Sequence, residues 1–174
     1  MARVDYADIH AEAVKPLAAR IVAERGQMLH IYRMLLHAPA VAEGWLALMT
    51  AIRQRCTLSG DLRELVIMRI AQLNGARYEA EQHHGYALKE GVTEAQLAEL
   101  EGWRESKLFS PLQRTVLGYT EAMTREVKVP DELFAQVSEH FDRQGVIELT
   151  ATVASYNMVS RFLVALHIEG CDKV

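Results

Sequence analysis

Two carboxylates and one imidazole stand at spacings that could support proton transfer. Glu79 and His83 are four residues apart in a predicted helix, so their side chains lie on the same helical face. A carboxylate beside an imidazole can orient the ring and keep a proton on it, which makes the two residues a candidate acid/base pair. The structural alternative is an exposed ion pair that adds about 0.2–0.5 kcal/mol to helix stability.

Glu64 is the second carboxylate of interest because it lies in the first turn of a predicted helix that is almost wholly apolar over 61–72. Its neighbours at i+3, i+4 and i+7 are Ile67, Met68 and Ala71. Burying a carboxylate on such a face is costly without a partner. Glu64 therefore either interacts with the positive helix N-terminus or a basic neighbour, or it has a functional role.

A metal site is a further interpretation of Glu64, Glu79 and His83, since two carboxylates and an imidazole suit a hard or borderline divalent ion. No second imidazole occurs at a matching spacing, and His84 points about a quarter-turn away. We therefore predict no metal and no cofactor. Tyr78 is interpreted as a packing residue. The other histidines are interpreted as surface or satisfied core residues: His10, His30, His37, His140 and His167.

Composition excludes several function classes. The chain has 174 residues and a net charge of −4, and neither sign of charge forms a long block, so we predict no nucleic-acid partner. No uncharged run reaches the roughly 18 residues of a membrane span, and the acidic N-terminus is unlike a secretory signal. These features predict a cytoplasmic protein without a membrane partner. The two cysteines, Cys56 and Cys171, form no Cys-x-x-Cys motif and are interpreted as reduced thiols.

Apolar periodicity, caps and helix breakers predict a chain of helices without a β-sheet. Thr93 to Gln96 has the pattern of a capping box, and Ser110-Pro111 and Asp142 are further helix starts. Residues 1–8 are predicted to be loose. The predicted helices cover 16–24, 28–36, 39–55, 61–74, 76–90, a short stretch after Thr93, 111–125, 131–141 and 146–168.

Residues 62–84 resemble the signature region of the carboxymuconolactone decarboxylase and alkylhydroperoxidase D-like family. Its peroxidase branch has a Glu, eleven residues, a Cys, two residues, a Cys, three residues and a His. This sequence keeps that spacing with Glu64, Ala76, Glu79 and His83, so both cysteine positions are replaced. Residues 87–93 and 156–163 extend the resemblance, which covers about residues 30–170 in order. It implies one domain over 1–174, with its signature region at 59–93.

The resemblance implies an all-α fold built around a helical hairpin, in members that assemble as dimers, trimers or hexamers. Glu64 would lie on one arm of the hairpin and face Glu79 and His83 on the other. In that arrangement His83 would be the general acid/base, Glu79 would orient it, and Glu64 would be a second proton carrier.

The missing dithiol makes an ordinary thiol peroxidase reaction implausible, because no sulfur at these positions can attack a peroxide. The family's decarboxylase branch acts without thiols. We therefore predict cofactor-independent decarboxylation or proton transfer on a small carboxylated lactone or carbonyl compound, by a homo-oligomer. The alternatives are a non-catalytic binding or scaffold oligomer, and an alkylhydroperoxidase-like antioxidant protein with a different mechanism.

Overall fold

The computed structural model describes residues 1–172, and over that range it contains helices and turns but no β-strand. The predicted all-α class is therefore confirmed. A π-helical segment, Ala122–Glu126, directly follows the seventh α-helix. The α-helices are α1 (Lys15–Arg25), α2 (His30–Leu35), α3 (Pro39–Gln54), α4 (Gly60–Asn74), α5 (Arg77–Lys89), α6 (Glu94–Glu99), α7 (Pro111–Glu121), α8 (Asp131–His140) and α9 (Arg143–Leu166).

One compact unit comprises residues 1–56 together with residues 165–172. Arg25, the last residue of α1, ties its three helices together. It donates hydrogen bonds to Tyr32 Oη on α2 at 3.0 Å and to Thr50 Oγ1 on α3 at 2.8 Å. The first eight residues form no helix, but the Arg3 amide donates to Leu166 O at 2.9 Å and so attaches them to the unit.

The second compact unit comprises residues 57–164 and carries all three predicted site residues. Its core is one cluster of apolar side chains from α4 to α7 and the turns between them. The cluster comprises Leu65, Met68, Ala87, Val92, Leu97, Leu100, Trp103, Phe109 and Leu117. The single domain over 1–174 stays a prediction, and residues 173–174 lie outside the described part.

Short-range capping sets the ends of several helices in the second unit. Thr93 and Gln96 form the predicted capping box at the start of α6. Ser110 forms a second box with Gln113 at the start of α7. The Asp142 carboxylate accepts the Gly145 amide at 2.8 Å at the start of α9. These local contacts explain why a sequence pattern alone could locate the helix starts.

A buried charge network fixes the turn between α6 and α7. Arg69 on α4 donates two hydrogen bonds to Glu121, one of them from Nε at 2.8 Å. The same carboxylate accepts Trp103 Nε1 at 3.0 Å and an Arg104 N–H at 2.6 Å. Glu121 is therefore saturated with donors, which is the condition for a buried carboxylate to be tolerated.

The π-helical segment replaces the last turn of the helix predicted over 111–125. Asn157 on α9 donates to Thr124 Oγ1 at 2.9 Å and to its own helix at Val153 O. Val127 then ends the segment with φ at 65°, a left-handed conformation that β-branched residues rarely adopt. The π-helical turn, which is wider than an α-helical turn, therefore contains a residue that is bonded by Asn157, 33 positions further along the chain.

The last helix, α9, is long and apolar enough to cross a membrane by length and composition alone. Half of its most apolar window is buried inside the protein. Core helices of globular proteins have the same composition, so this helix is weak support for a membrane span.

Candidate active site

The site is built on a helical hairpin made by α4 and α5. Gly75 joins the two helices with φ at 67°, the left-handed conformation that glycine adopts without steric cost. Its amide is bonded to carbonyls in the last turn of α4. Ala76 follows as the N-cap residue of α5. This tight connection makes the two helices antiparallel neighbours and confirms the predicted hairpin.

Glu64 and His83 meet across this hairpin. The distance from His83 Nδ1 to Glu64 Oε2 is 2.7 Å, a short hydrogen bond between α4 and α5. The Glu64 side chain is 1% exposed, whereas that of His83 is 12% exposed. The structure thus brings together two of the three predicted residues, and only the imidazole reaches the surface.

Arg63 supplies a positive charge beside Glu64. Its Nε lies 3.5 Å from Glu64 Oε1, and one of its terminal nitrogens lies 3.5 Å from Glu90 Oε1. The Arg63 side chain is only 12% exposed, so solvent screens the pair weakly. The sequence analysis gave a basic neighbour as one possible structural partner of Glu64, and Arg63 is that neighbour. It compensates the carboxylate's charge while Oε2 remains bonded to His83.

The orienting role predicted for Glu79 is wrong. The carboxylate bonded to His83 is Glu64, from the opposite arm of the hairpin. Neither carboxyl oxygen of Glu79 has a hydrogen-bond partner among the described residues. Helical spacing places Glu79 and His83 on one face, but it does not decide which of two nearby carboxylates bonds the ring.

Glu79 is instead buried, with 2% of the residue exposed. Burial raises the pKa of the Glu79 carboxyl well above its ordinary value of 4.5. A buried polar group without a hydrogen bond costs about 1–3 kcal/mol of folding free energy. Glu79 is thus an energetically unfavourable residue in the first turn of α5.

Two tyrosines surround the imidazole. The Tyr156 ring of α9 meets the His83 ring edge-on with centroids 5.3 Å apart, and the Tyr86 ring is tilted at 6.0 Å. Tyr156 is 1% exposed. Both rings pack against the imidazole and restrict its movement. The local spacing could not reveal Tyr156, since it lies on a helix 73 positions further along the chain.

Glu148 fixes the turn that precedes α4. Its Oε2 accepts the Thr57 amide at 2.7 Å, the Thr57 hydroxyl at 2.8 Å and the Leu58 amide at 3.2 Å. Gln144 donates to the other carboxylate oxygen at 2.8 Å. These bonds hold the entry to the helix that carries Glu64, so Glu148 is a positioning residue that sequence analysis missed.

The other candidates lie apart from this pair. Tyr78 is 5% exposed, in agreement with its interpretation as a packing residue. His84 points elsewhere, with Nε2 at 3.2 Å from Glu94. Cys56 and Cys171 are both reduced thiols. Within residues 1–172 no three His, Cys, Asp or Glu side chains are arranged to hold a metal ion.

Comparison with known proteins gives the class of this molecule. Residues 39–122 match the model of the carboxymuconolactone decarboxylase family. The chain is 32% identical over 128 residues to the uncharacterized protein YnjA of Escherichia coli, covering 73% of this chain and 68% of that protein. The fold and the site together define an all-α protein that carries a Glu–His pair on a helical hairpin. The chain belongs to the carboxymuconolactone decarboxylase family.

Solved structures confirm the alkylhydroperoxidase D-like fold. An uncharacterized peroxidase-related protein from Ralstonia eutropha JMP134, described as an alkylhydroperoxidase AhpD core, superposes with a TM-score of 0.82 at 15% identity. The match covers 98% of this chain and 93% of that one. A variant of the debrominase Bmp8 in complex with 2,3,4-tribromopyrrole gives a TM-score of 0.79 at 15% identity, covering 96% and 92%. At these identities the likeness concerns the fold alone.

Proposed function

We propose that this protein is a cofactor-independent enzyme that transfers protons to or from a small carboxylated lactone or carbonyl compound. One observation carries the proposal: the 2.7 Å hydrogen bond between buried Glu64 and partly exposed His83. A carboxylate bonded to Nδ1 fixes the ring tautomer and stabilises the imidazolium, which leaves proton exchange with a substrate to Nε2. Family membership supports decarboxylation as the reaction.

In a decarboxylation, the bond between a substrate carbon and its carboxylate breaks and carbon dioxide leaves. The electron pair moves onto the adjacent carbonyl and forms an enolate. The His83 imidazolium then gives its proton to the substrate carbon, and the neutral ring recovers a proton from solvent. One proton is consumed for each carbon dioxide released. The 12% exposure of His83 provides the route for that proton.

The proposal includes a homo-oligomer in the cytoplasm. The exposed side of α9 supports assembly, since Ile147 is 68% exposed and Met158 is 36% exposed on the same helical stripe. A thiol peroxidase reaction is not proposed, because Ala76 and Glu79 provide no sulfur. The alternative is a binding or scaffold oligomer, in which the ion pair between Glu64 and Arg63 would be purely structural.

A thermal-shift panel of small keto acids, lactones, enols and hydroperoxides tests the proposal. We expect at least one keto acid or lactone to raise the Tm of the native protein but not that of His83→Gln. Turnover of that compound should fall by about 10²–10⁴-fold in the variant, the usual contribution of a general acid/base. The matched control is His84→Gln, which removes the neighbouring half-exposed ring bonded to Glu94.

Two results would contradict the proposal. If no compound shifts the native protein, the scaffold alternative is favoured. If the same compounds shift native protein and His83→Gln equally, then the ligand site lies elsewhere and the Glu64–His83 pair has a structural role.

A further inference from the structure

Glu79 has no part in the mechanism above, yet it is the most unusual carboxyl group of the hairpin. Both of its oxygens are buried, and neither bonds to any residue among 1–172. Each of the other buried carboxylates of this unit has at least one hydrogen-bonded oxygen: Glu64, Glu121 and Glu148. Neither oxygen of Glu79 has such a bond among the described residues.

Glu79 lies about one helical turn from His83, the residue that is proposed to transfer the proton. His83 faces α4, because its Nδ1 bonds Glu64 there. Glu79 lies four residues earlier on the same face of α5, so it also faces α4, in accord with its burial. One helical turn rises about 5.4 Å along the axis, a span that a small carbonyl compound can bridge.

We propose that Glu79 is a neutral carboxylic acid that donates a hydrogen bond to the oxygen anion developing on the substrate carbonyl. The inference rests on the proposed function, in which His83 exchanges a proton at the neighbouring carbon. A carboxyl group kept neutral by apolar surroundings can donate such a bond, and donors in a dry site stabilise a developing oxyanion strongly. Its proton stays on Glu79 throughout, so the proton balance of the reaction is unchanged.

This assignment narrows the substrate class. Glu79 is useful only if negative charge collects on an oxygen during the reaction, as it does in an enolate. The substrate should therefore carry a carbonyl adjacent to the carbon that His83 protonates, as a β-keto acid or an unsaturated lactone does. Compounds whose reaction forms no enolate would gain nothing from a buried neutral acid.

The experiment measures the binding of oxalate by thermal shift and calorimetry. Oxalate is a planar dianion that mimics the oxygen anion of an enolate. Four proteins are compared: native, Glu79→Gln, Glu79→Met and His83→Gln. Glutamine keeps a donor of the same shape, whereas methionine keeps the length and apolar fit but has no donor. We expect oxalate to bind the native protein, Glu79→Gln to keep most of that affinity, and Glu79→Met to lose about tenfold or more.

The outcomes separate the two proposals. Equal oxalate affinity in native protein and Glu79→Met, or no binding to the native protein, overturns the role of Glu79. Loss of affinity in Glu79→Met that Glu79→Gln restores supports it. If affinity is lost in Glu79→Met but kept in His83→Gln, the Glu79 donor is supported and the Glu64–His83 pair is not. The reverse pattern supports the pair and overturns the Glu79 donor.

Discussion

Glu79 shows how a single carboxyl group can lower the stability of the chain that carries it. The fold favours its protonated form, because burial raises its pKa. An apolar residue would avoid the cost of burying an unbonded carboxyl group, and residues that cost stability are commonly kept for function.

We expect the contribution of Glu79 to the stability of the native protein to fall as the pH rises above 4.5, the ordinary pKa of this carboxyl. Above that value the unfolded chain releases the proton that the folded chain retains, so folding is opposed until the folded-state pKa is passed. Glu79→Gln stays neutral, so between pH 5 and pH 9 its Tm should exceed the native Tm by a margin that grows until the folded-state pKa of Glu79 is passed and is constant above it, by several degrees at most.

Thermal unfolding of both proteins across this pH range is the measurement. The control is Glu81→Gln, an exposed glutamate on the same helix, which should follow the native curve. A Glu79→Gln protein that is less stable than native at every pH would show that the carboxyl is ionised and bonded in solution.

The sequence predicted that Glu64, Glu79 and His83 form the site, but not which carboxylate bonds the imidazole. The spacing of Glu79 and His83 predicted a shared face, and the family resemblance placed Glu64 opposite them. The orienting carboxylate proved to be Glu64, because the choice depends on how α4 and α5 pack and not on helical periodicity. The sequence could not predict the role of Tyr156 for the same reason, since its contact with His83 exists only in the folded chain.

At the scale of helices, the ends set by local chemistry were predictable and those set by distant contacts were not. Thr93, Ser110 and Gly75 begin or end helices through their own side chain or backbone freedom. The π-helical segment Ala122–Glu126 could not be predicted, since its Thr124 is bonded by Asn157 from α9. Likewise, nothing in the turn before α4 indicates that Glu148 holds it.

We expect Glu148→Gln to destabilise the protein by about 1–3 kcal/mol, because an amide nitrogen then faces backbone donors that the carboxylate accepts. Hydrogen bonds from Gln144 and from Thr57 lower the pKa of Glu148. Its contribution is therefore present above the unfolded-state pKa and is lost as the pH falls through the folded-state value.

Urea unfolding of native protein and Glu148→Gln at neutral and acidic pH measures this difference, which should shrink in acid. The exposed Glu139→Gln on α8 serves as the matched control. A difference that persists unchanged in acid would mean that the charge of Glu148 has no part in holding the turn.

At the scale of the whole molecule, α9 combines a core face with an exposed apolar stripe. Leu149, Val153 and Tyr156 are buried, whereas Ile147 and Met158 are exposed. Met158 lies eleven positions after Ile147, which is close to three helical turns, so both lie on one side of the helix. An apolar stripe of this kind commonly contacts a partner, and a second copy of the chain is the partner that the proposal names.

We expect the native protein to assemble as a dimer, trimer or hexamer, and Ile147→Glu combined with Met158→Glu to reduce the assembly mass. Light scattering coupled to size exclusion measures both masses. Glu139→Gln, an exposed position on α8, should leave the mass unchanged. A monomeric native protein would contradict the expectation, as would an assembly that tolerates both charges.

The two tryptophans of the chain are divided between its two compact units. Trp45 is buried in α3, and Trp103 is buried beside Glu121, with the Arg104 guanidinium 4.3 Å above its ring. Each unit thus contains one tryptophan, and the two have different electrostatic surroundings. Replacing one indole at a time with phenylalanine assigns the remaining tryptophan emission to a single unit, without a label or a truncated chain.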